Sequence, residues 1–221
     1  PAPGFSSGSA IAAIQQTAAE KLPRGYDIDW AGISRDEVNT GNEAIFIFMI
    51  CLLFVYLILS AQYESFLLPL PVILSLPAGT FGAFLLLALL GLENNIYAQV
   101  ALIMLIGLLG KNAILIVEFA ALRHREGQTP LQAAIQGAKE RLRPILMTSF
   151  AFIAGLVPLV LASGAGAVGN QTIGAAALGG MLFGTLLGVV IIPGLYVVFA
   201  SLGDQLNKSR KLEEAPYTET I

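Results

Sequence analysis

Residues 96–120 read IYAQVALIMLIGLLGKNAILIVEFA, which is a nearly continuous run of apolar residues. A membrane-spanning helix needs about 20 predominantly apolar residues, and this stretch supplies them with Lys111 and Glu118 as its only charges. Comparable apolar stretches lie at roughly 44–62, 66–91, 144–163 and 172–202. The sequence therefore predicts an all-α membrane protein with five transmembrane helices.

The composition of the 221-residue chain agrees, since 56% of it is hydrophobic and 12% is charged, where a soluble domain carries roughly a quarter of its residues as charge. The net charge of −3 and the scattered cations exclude a nucleic-acid partner and leave membrane lipid as the expected surroundings. Cys51 is the only cysteine, so the chain has neither an internal disulfide nor a cysteine metal site, and we interpret it as a buried apolar residue.

The charges between the apolar stretches predict the orientation in the membrane. Loops 91–95 and 164–171 carry only Glu93, whereas the segment 121–143 carries five Lys or Arg residues and the tail 204–221 carries Lys208, Arg210 and Lys211. Because basic loops stay in the cytoplasm, the segment and the tail are expected there, and the N-terminal residues are expected outside. Within the basic segment, residues 126–140 predict a short amphipathic helix along the cytoplasmic surface.

Residues 1–38 precede the membrane helices and have a different pattern. Helical spacing of apolar residues predicts a helix at 9–22, and after a turn the alternation at 26–30 (YDIDW) predicts a strand. One helix and one strand cannot bury their faces alone. We therefore interpret 1–38 as the end of a larger α+β extracytoplasmic domain that precedes this chain, with a flexible leader as the alternative. The start at Pro1 has no export signal, which also predicts a segment upstream.

Lys111 is the charge that needs an explanation. Near the bilayer centre a charge costs at least about 2.5–3.5 kcal/mol, and Lys111 lies roughly 22 Å along its helix from the outer end. Gly107 and Gly110 clear space beside it and Asn112 adds a second polar group, so we expect a functional amine with a carboxylate partner. Snorkelling towards the surface is the alternative. Glu118 lies about 10.5 Å further along and is better explained as an interfacial charge, so the partner is expected outside this chain.

The last two predicted helices carry further polar and packing residues. Thr148 follows Arg141 on the same face of the fourth helix, which is expected to begin at Pro144. The alternatives are a Thr148 hydroxyl that bonds back to its own helix and arginines that only anchor the interface. The fifth helix has glycines at small-xxx-small spacing that predict close helix packing: Gly180, Gly184 and Gly188.

Enzyme chemistry has no support in the sequence. The single histidine, His124, lies in the basic segment, and neither a nucleophile–base pair, nor a metal-binding spacing, nor a GxxxxGK[ST] phosphate loop is present. We expect a protein without catalytic residues.

The runs 107–120 (GLLGKNAILIVEFA) and 141–149 (RLRPILMTS) resemble the tenth and eleventh membrane helices of AcrB-type efflux pumps of the resistance-nodulation-division (RND) family. The resemblance extends in order up to about residue 203. Further landmarks are 3–8 (PGFSSG), 63–65 (YES), 91–97 (GLENNIY) and 164–166 (GAG). The five helices then correspond to helices 8–12 of the family, and 1–38 to the end of its periplasmic porter domain.

The resemblance implies a homotrimeric transporter of the bacterial inner membrane that uses protons, and no other cofactor, to drive export of amphiphilic compounds. Its implied partners are a periplasmic adaptor, an outer-membrane channel and an N-terminal half that provides an acidic pair. The residues that match the family's proton relay are Lys111, Arg141 and Thr148, with Asn112 as a secondary candidate. An RND exporter of metal ions or lipids and a non-transporting membrane scaffold stay open as alternatives, as does an intramembrane hydrolase.

Overall fold

The computed structural model describes residues 7–32, 34–35, 38, 43–164 and 166–214. Five of its helices are each long and apolar enough to cross a membrane, which confirms the predicted set of five. The helices are α1 (Ser7–Lys21), α2 (Glu43–Tyr63), α3 (Leu70–Leu89), α4 (Ile96–Arg125), α5 (Pro130–Val160) and α6 (Ala167–Glu214).

The segment before the membrane helices contains α1, which covers the helix predicted at 9–22. The predicted strand is not observed, since residues 26–30 form no β-ladder in the described part of the chain. A strand is stabilised by hydrogen bonds to a neighbouring strand, and no other described residue of this chain is in a strand. Residues 1–6, 33, 36–37 and 39–42 lie outside the described residues, and with them most of the 3–8 landmark.

The basic segment folds differently from its prediction, since α5 runs without interruption from Pro130 to Val160. The prediction of a separate amphipathic helix at 126–140 is therefore wrong, and Pro144 lies inside a helix instead of at its start. Two contacts explain this. Thr129 caps the helix by accepting a hydrogen bond from the Gln132 backbone N–H at 3.4 Å. Gly137 lies so close to α4 that a Cβ there would be 2.8 Å from the backbone nitrogen of Ala120, so this segment is held by α4.

Helices α3 to α6 form an antiparallel bundle in which α6 packs against the other three. The bundle has two ends. We call the end where α4 finishes and α5 begins the basic end, because Arg123 and Arg125 lie there. The helix α2 is the most exposed of the five, with 11% of its apolar span buried. One of its few contacts is a hydrogen bond from the Tyr63 hydroxyl to the Ile114 carbonyl at 3.4 Å.

Helices α3 and α6 meet along a line of glycines that we call the glycine seam: Gly79, Gly82, Gly179, Gly180 and Gly184. A Cβ at Gly82 would lie 2.5 Å from the carbonyl oxygen of Gly179 and 2.5 Å from Cβ of Phe183. A Cβ at Gly184 would lie 3.2 Å from Cα of Gly79. The two backbones can approach this closely only because neither helix carries side chains there.

Candidate functional site

Lys111 lies near the middle of α4. The helix extends to Arg125, further than the sequence predicted, so Lys111 is about 22 Å from its first residue and about 21 Å from its last. The residue is exposed, and no hydrogen bond or ion pair of its amine is found within the described part of the chain. The structure thus places an ammonium group in the centre of an apolar helix, on a face that the described residues leave open.

Its neighbour Asn112 points into the bundle. The Asn112 Nδ2 donates a hydrogen bond to Ser149 Oγ at 3.2 Å, and Thr185 Oγ1 donates to the same oxygen at 3.0 Å. All three residues are buried, at 7%, 1% and 5% exposure respectively. We call them the polar node, and they join α4, α5 and α6 through side chains.

Thr148 and Arg141 both lie on α5, but their polar groups contact other residues. The Thr148 hydroxyl donates to the Ile145 carbonyl of its own helix at 3.0 Å. The Arg141 guanidinium carbon lies 3.6 Å from the centroid of the Phe119 ring, which is a cation–π geometry. Its Nε is buried and has no hydrogen-bond partner in the described structure. No hydrogen bond or ion pair joins Lys111, Arg141 and Thr148 to one another within the described residues.

The glycines singled out in the sequence separate into two groups. Gly180 and Gly184 lie in the glycine seam, where added Cβ atoms would meet Leu105 and Leu109. A Cβ at Gly107 or Gly110 would meet no atom within 4 Å, and one at Gly188 would meet only Ile192 of the same helix. The space that Gly107 and Gly110 leave beside Lys111 is therefore not filled by the described residues.

Charged residues cluster at the basic end. Arg123 bridges Glu126 and Glu140 at 2.9 and 2.8 Å, which ties the end of α4 to the start of α5. His124 lies in the last turn of α4, not in a loop, and its Nε2 is 3.2 Å from the Asp204 carboxylate of α6. These groups are partly exposed, so the pairs contribute little stability. Among the described residues, no three His, Cys, Asp or Glu side chains are arranged to hold a metal ion.

Sequence reasoning missed two buried hydroxyls, Ser149 and Thr185. A signal existed, because both lie in the apolar stretches 144–163 and 172–202, next to Thr148 and Gly184 respectively. Helical spacing does not show which polar residue of one helix faces which residue of another. Their convergence on Asn112 became visible only in the packed bundle.

The resemblance can be tested by comparison with known proteins, and the match extends over nearly the full length of the chain. A sequence model of the AcrB/AcrD/AcrF family covers residues 1–200. This chain belongs to that family.

One similar member of the family is the toluene efflux pump membrane transporter TtgB of Pseudomonas putida. It is 46% identical over 202 residues, which cover 91% of this chain and 19% of the relative. The multidrug resistance protein MdtF of Escherichia coli is 44% identical over 209 residues, 94% of this chain and 20% of the relative. The chain thus spans about a fifth of the length of these relatives.

Proposed function

We propose that this chain is part of a proton-driven efflux antiporter of the bacterial inner membrane that exports amphiphilic or hydrophobic compounds. The observation that carries the proposal is the exposed Lys111 in the middle of α4, without an ionic partner among the described residues. Such a charge is costly in an apolar helix unless a counter-ion or a water-filled cavity accompanies it, and it therefore marks a functional site. The names of the relatives, a toluene pump and a multidrug resistance protein, support organic compounds as the substrate class.

The coupling mechanism is electrostatic. Two ionised carboxylates from another part of the transporter hold the Lys111 amine between them, and the amine offsets their cost of desolvation. When a proton neutralises one carboxylate, the attraction weakens and the amine turns towards the Thr148 hydroxyl. Arg141 precedes Thr148 by seven residues in α5, about 10.5 Å closer to the basic end, and in this mechanism it passes the proton on towards that end. The change in charge then shifts the packing of the helices.

The remainder of the transporter is the first partner in this proposal. Large apolar side chains are exposed along α2, with Phe46 at 67% and Phe54 at 60%, and such a surface suits lipid or further membrane helices. We place the basic end in the cytoplasm, because basic residues favour that side. Residues 1–38 then belong to the periplasmic porter domain, where the rest of that domain pairs with residues 26–30. The complete assembly is a homotrimer that delivers substrate to a periplasmic adaptor and an outer-membrane channel.

Replacing the amine tests this function. Lys111→Ala in the full-length transporter is expected to abolish efflux of the lipophilic dye Nile red from cells, while the amount of trimer in the membrane stays the same. The matched control is Lys139→Ala, which removes an exposed lysine of α5. Nile red efflux at the wild-type rate in Lys111→Ala would contradict the proposed mechanism, whereas a wild-type transporter that exports no dye would favour the scaffold role.

A further inference from the structure

The polar node lies beside two of the proposed relay residues, and this position suggests a role for it. Asn112 follows Lys111 directly in α4, and Ser149 follows Thr148 directly in α5. We propose that Asn112, Ser149 and Thr185 position Lys111 and Thr148 relative to each other during proton transfer. The inference rests on the proposed function and adds two residues, Ser149 and Thr185, to its machinery.

The geometry of a helix connects the node to the relay. Successive residues are about 100° apart around an α-helix, so a side chain and its neighbour point in different directions. Lys111 and Thr148 are exposed, whereas Asn112 and Ser149 are buried and bonded to each other at 3.2 Å. That bond fixes the rotation of α4 against α5. By fixing it, the bond also fixes the directions in which the amine and the Thr148 hydroxyl point.

Thr185 connects the same oxygen to the third helix. Ser149 Oγ accepts from both Asn112 and Thr185, so a rotation of α4 or a shift of α6 separates one donor from this oxygen. An unpaired polar group in apolar surroundings is costly, and the arrangement with both bonds formed is therefore favoured. Because Thr185 follows Gly184 of the glycine seam, the node links the relay to the packing of α6 on α3.

The alternative to a positioning role is that the three residues only hold the helices together. The two roles differ in what the loss of one hydroxyl changes. A positioning role affects the transport rate of each inserted transporter. A purely structural role affects the amount of transporter in the membrane and its melting temperature. A variant that keeps the shape of residue 185 but removes its hydroxyl separates these effects.

The test uses the full-length transporter in proteoliposomes with an imposed pH gradient and measures Nile red transport per inserted trimer. Thr185→Val is expected to lower the maximal rate about three- to tenfold, the range set by loss of one interhelical hydrogen bond in a membrane. The dye concentration at half-maximal rate stays the same, and Thr185→Ser restores the rate. The control is Thr172→Val, since Thr172 is equally buried in α6 but donates to Val168 of its own helix at 2.7 Å.

Each outcome decides between the roles. Equal rates in Thr185→Val and the wild type, or an equal loss in Thr172→Val, overturn the positioning role, as does failure of Thr185→Ser to restore transport. If Thr185→Val does not insert, Ser149→Ala takes its place with the same expected loss per trimer. Full transport by Lys111→Ala refutes the proposed proton coupling through Lys111, whereas an inactive Lys111→Ala beside a fully active Thr185→Val refutes only the positioning.

Discussion

Gly82→Ala adds a single methyl group to the glycine seam, and its effect follows from two distances. The new Cβ would be 2.5 Å from the Gly179 carbonyl oxygen and 2.5 Å from Cβ of Phe183. Ordinary contacts of this kind lie near 3.4 Å, so the helices must separate by about 0.9 Å, and a gap of that size forfeits up to about half of each contact energy around it. Neither obstacle is the end of a flexible side chain, so neither can rotate away.

Overpacking of this kind costs about 1–3 kcal/mol, and two rigid obstacles place Gly82→Ala in the upper part of that range. Alanine recovers about 1 kcal/mol through its better helix propensity. The net expectation is a loss of about 1–2 kcal/mol, visible as a lower melting temperature of the purified full-length protein in detergent. Gly194→Ala is the control, because a Cβ at Gly194 of α6 meets nothing within 4 Å. A melting temperature of Gly82→Ala equal to or higher than that of Gly194→Ala would refute this account of the glycine seam.

Two further predictions concern the ends of α4. Asn95→Ala is expected to cost about 1 kcal/mol of stability, because the Asn95 side chain accepts from the backbone N–H groups of Tyr97 and Ala98 at 3.0 and 3.2 Å. Its melting temperature should fall below that of Asn94→Ala, and equal values would remove the capping role. Phe119→Leu is expected to cost about 0.5–1 kcal/mol, because it takes the aromatic face from under the Arg141 guanidinium, while Phe119→Tyr keeps it. Identical melting of the Leu and Tyr variants would show that the stacking contributes nothing.

Sequence reasoning succeeded for features that depend on one helix at a time. The apolar runs predicted the five spans, because crossing a bilayer requires a certain number of apolar residues in succession. The same logic singled out Lys111, since a charge within such a run is visible without any knowledge of its neighbours. The motif around it also indicated the family that the comparison then established.

Sequence reasoning fell short where a neighbouring element decides the local structure. Pro144 indicated a helix start, yet the membrane helix tolerates a proline, and contacts with α4 keep residues 130–143 in the same helix. The alternation at 26–30 indicated a strand, but a strand needs a partner that the described residues do not supply. Gly79 and Gly82 escaped attention because nothing in α3 alone reveals that α6 packs against them.

The order of the residues alone indicated a membrane protein, the number of its membrane helices, and the position of the Lys111 amine within one of them. These properties follow from the cost of placing peptide groups and charges in hydrocarbon, and that cost is summed along the chain. The packed bundle was needed to show that Asn112 and Thr185 both donate to the Ser149 hydroxyl and that five glycines lie where α3 and α6 meet. Those contacts depend on how each helix is rotated and shifted along its axis relative to its neighbours. The sequence of a single helix does not specify that orientation.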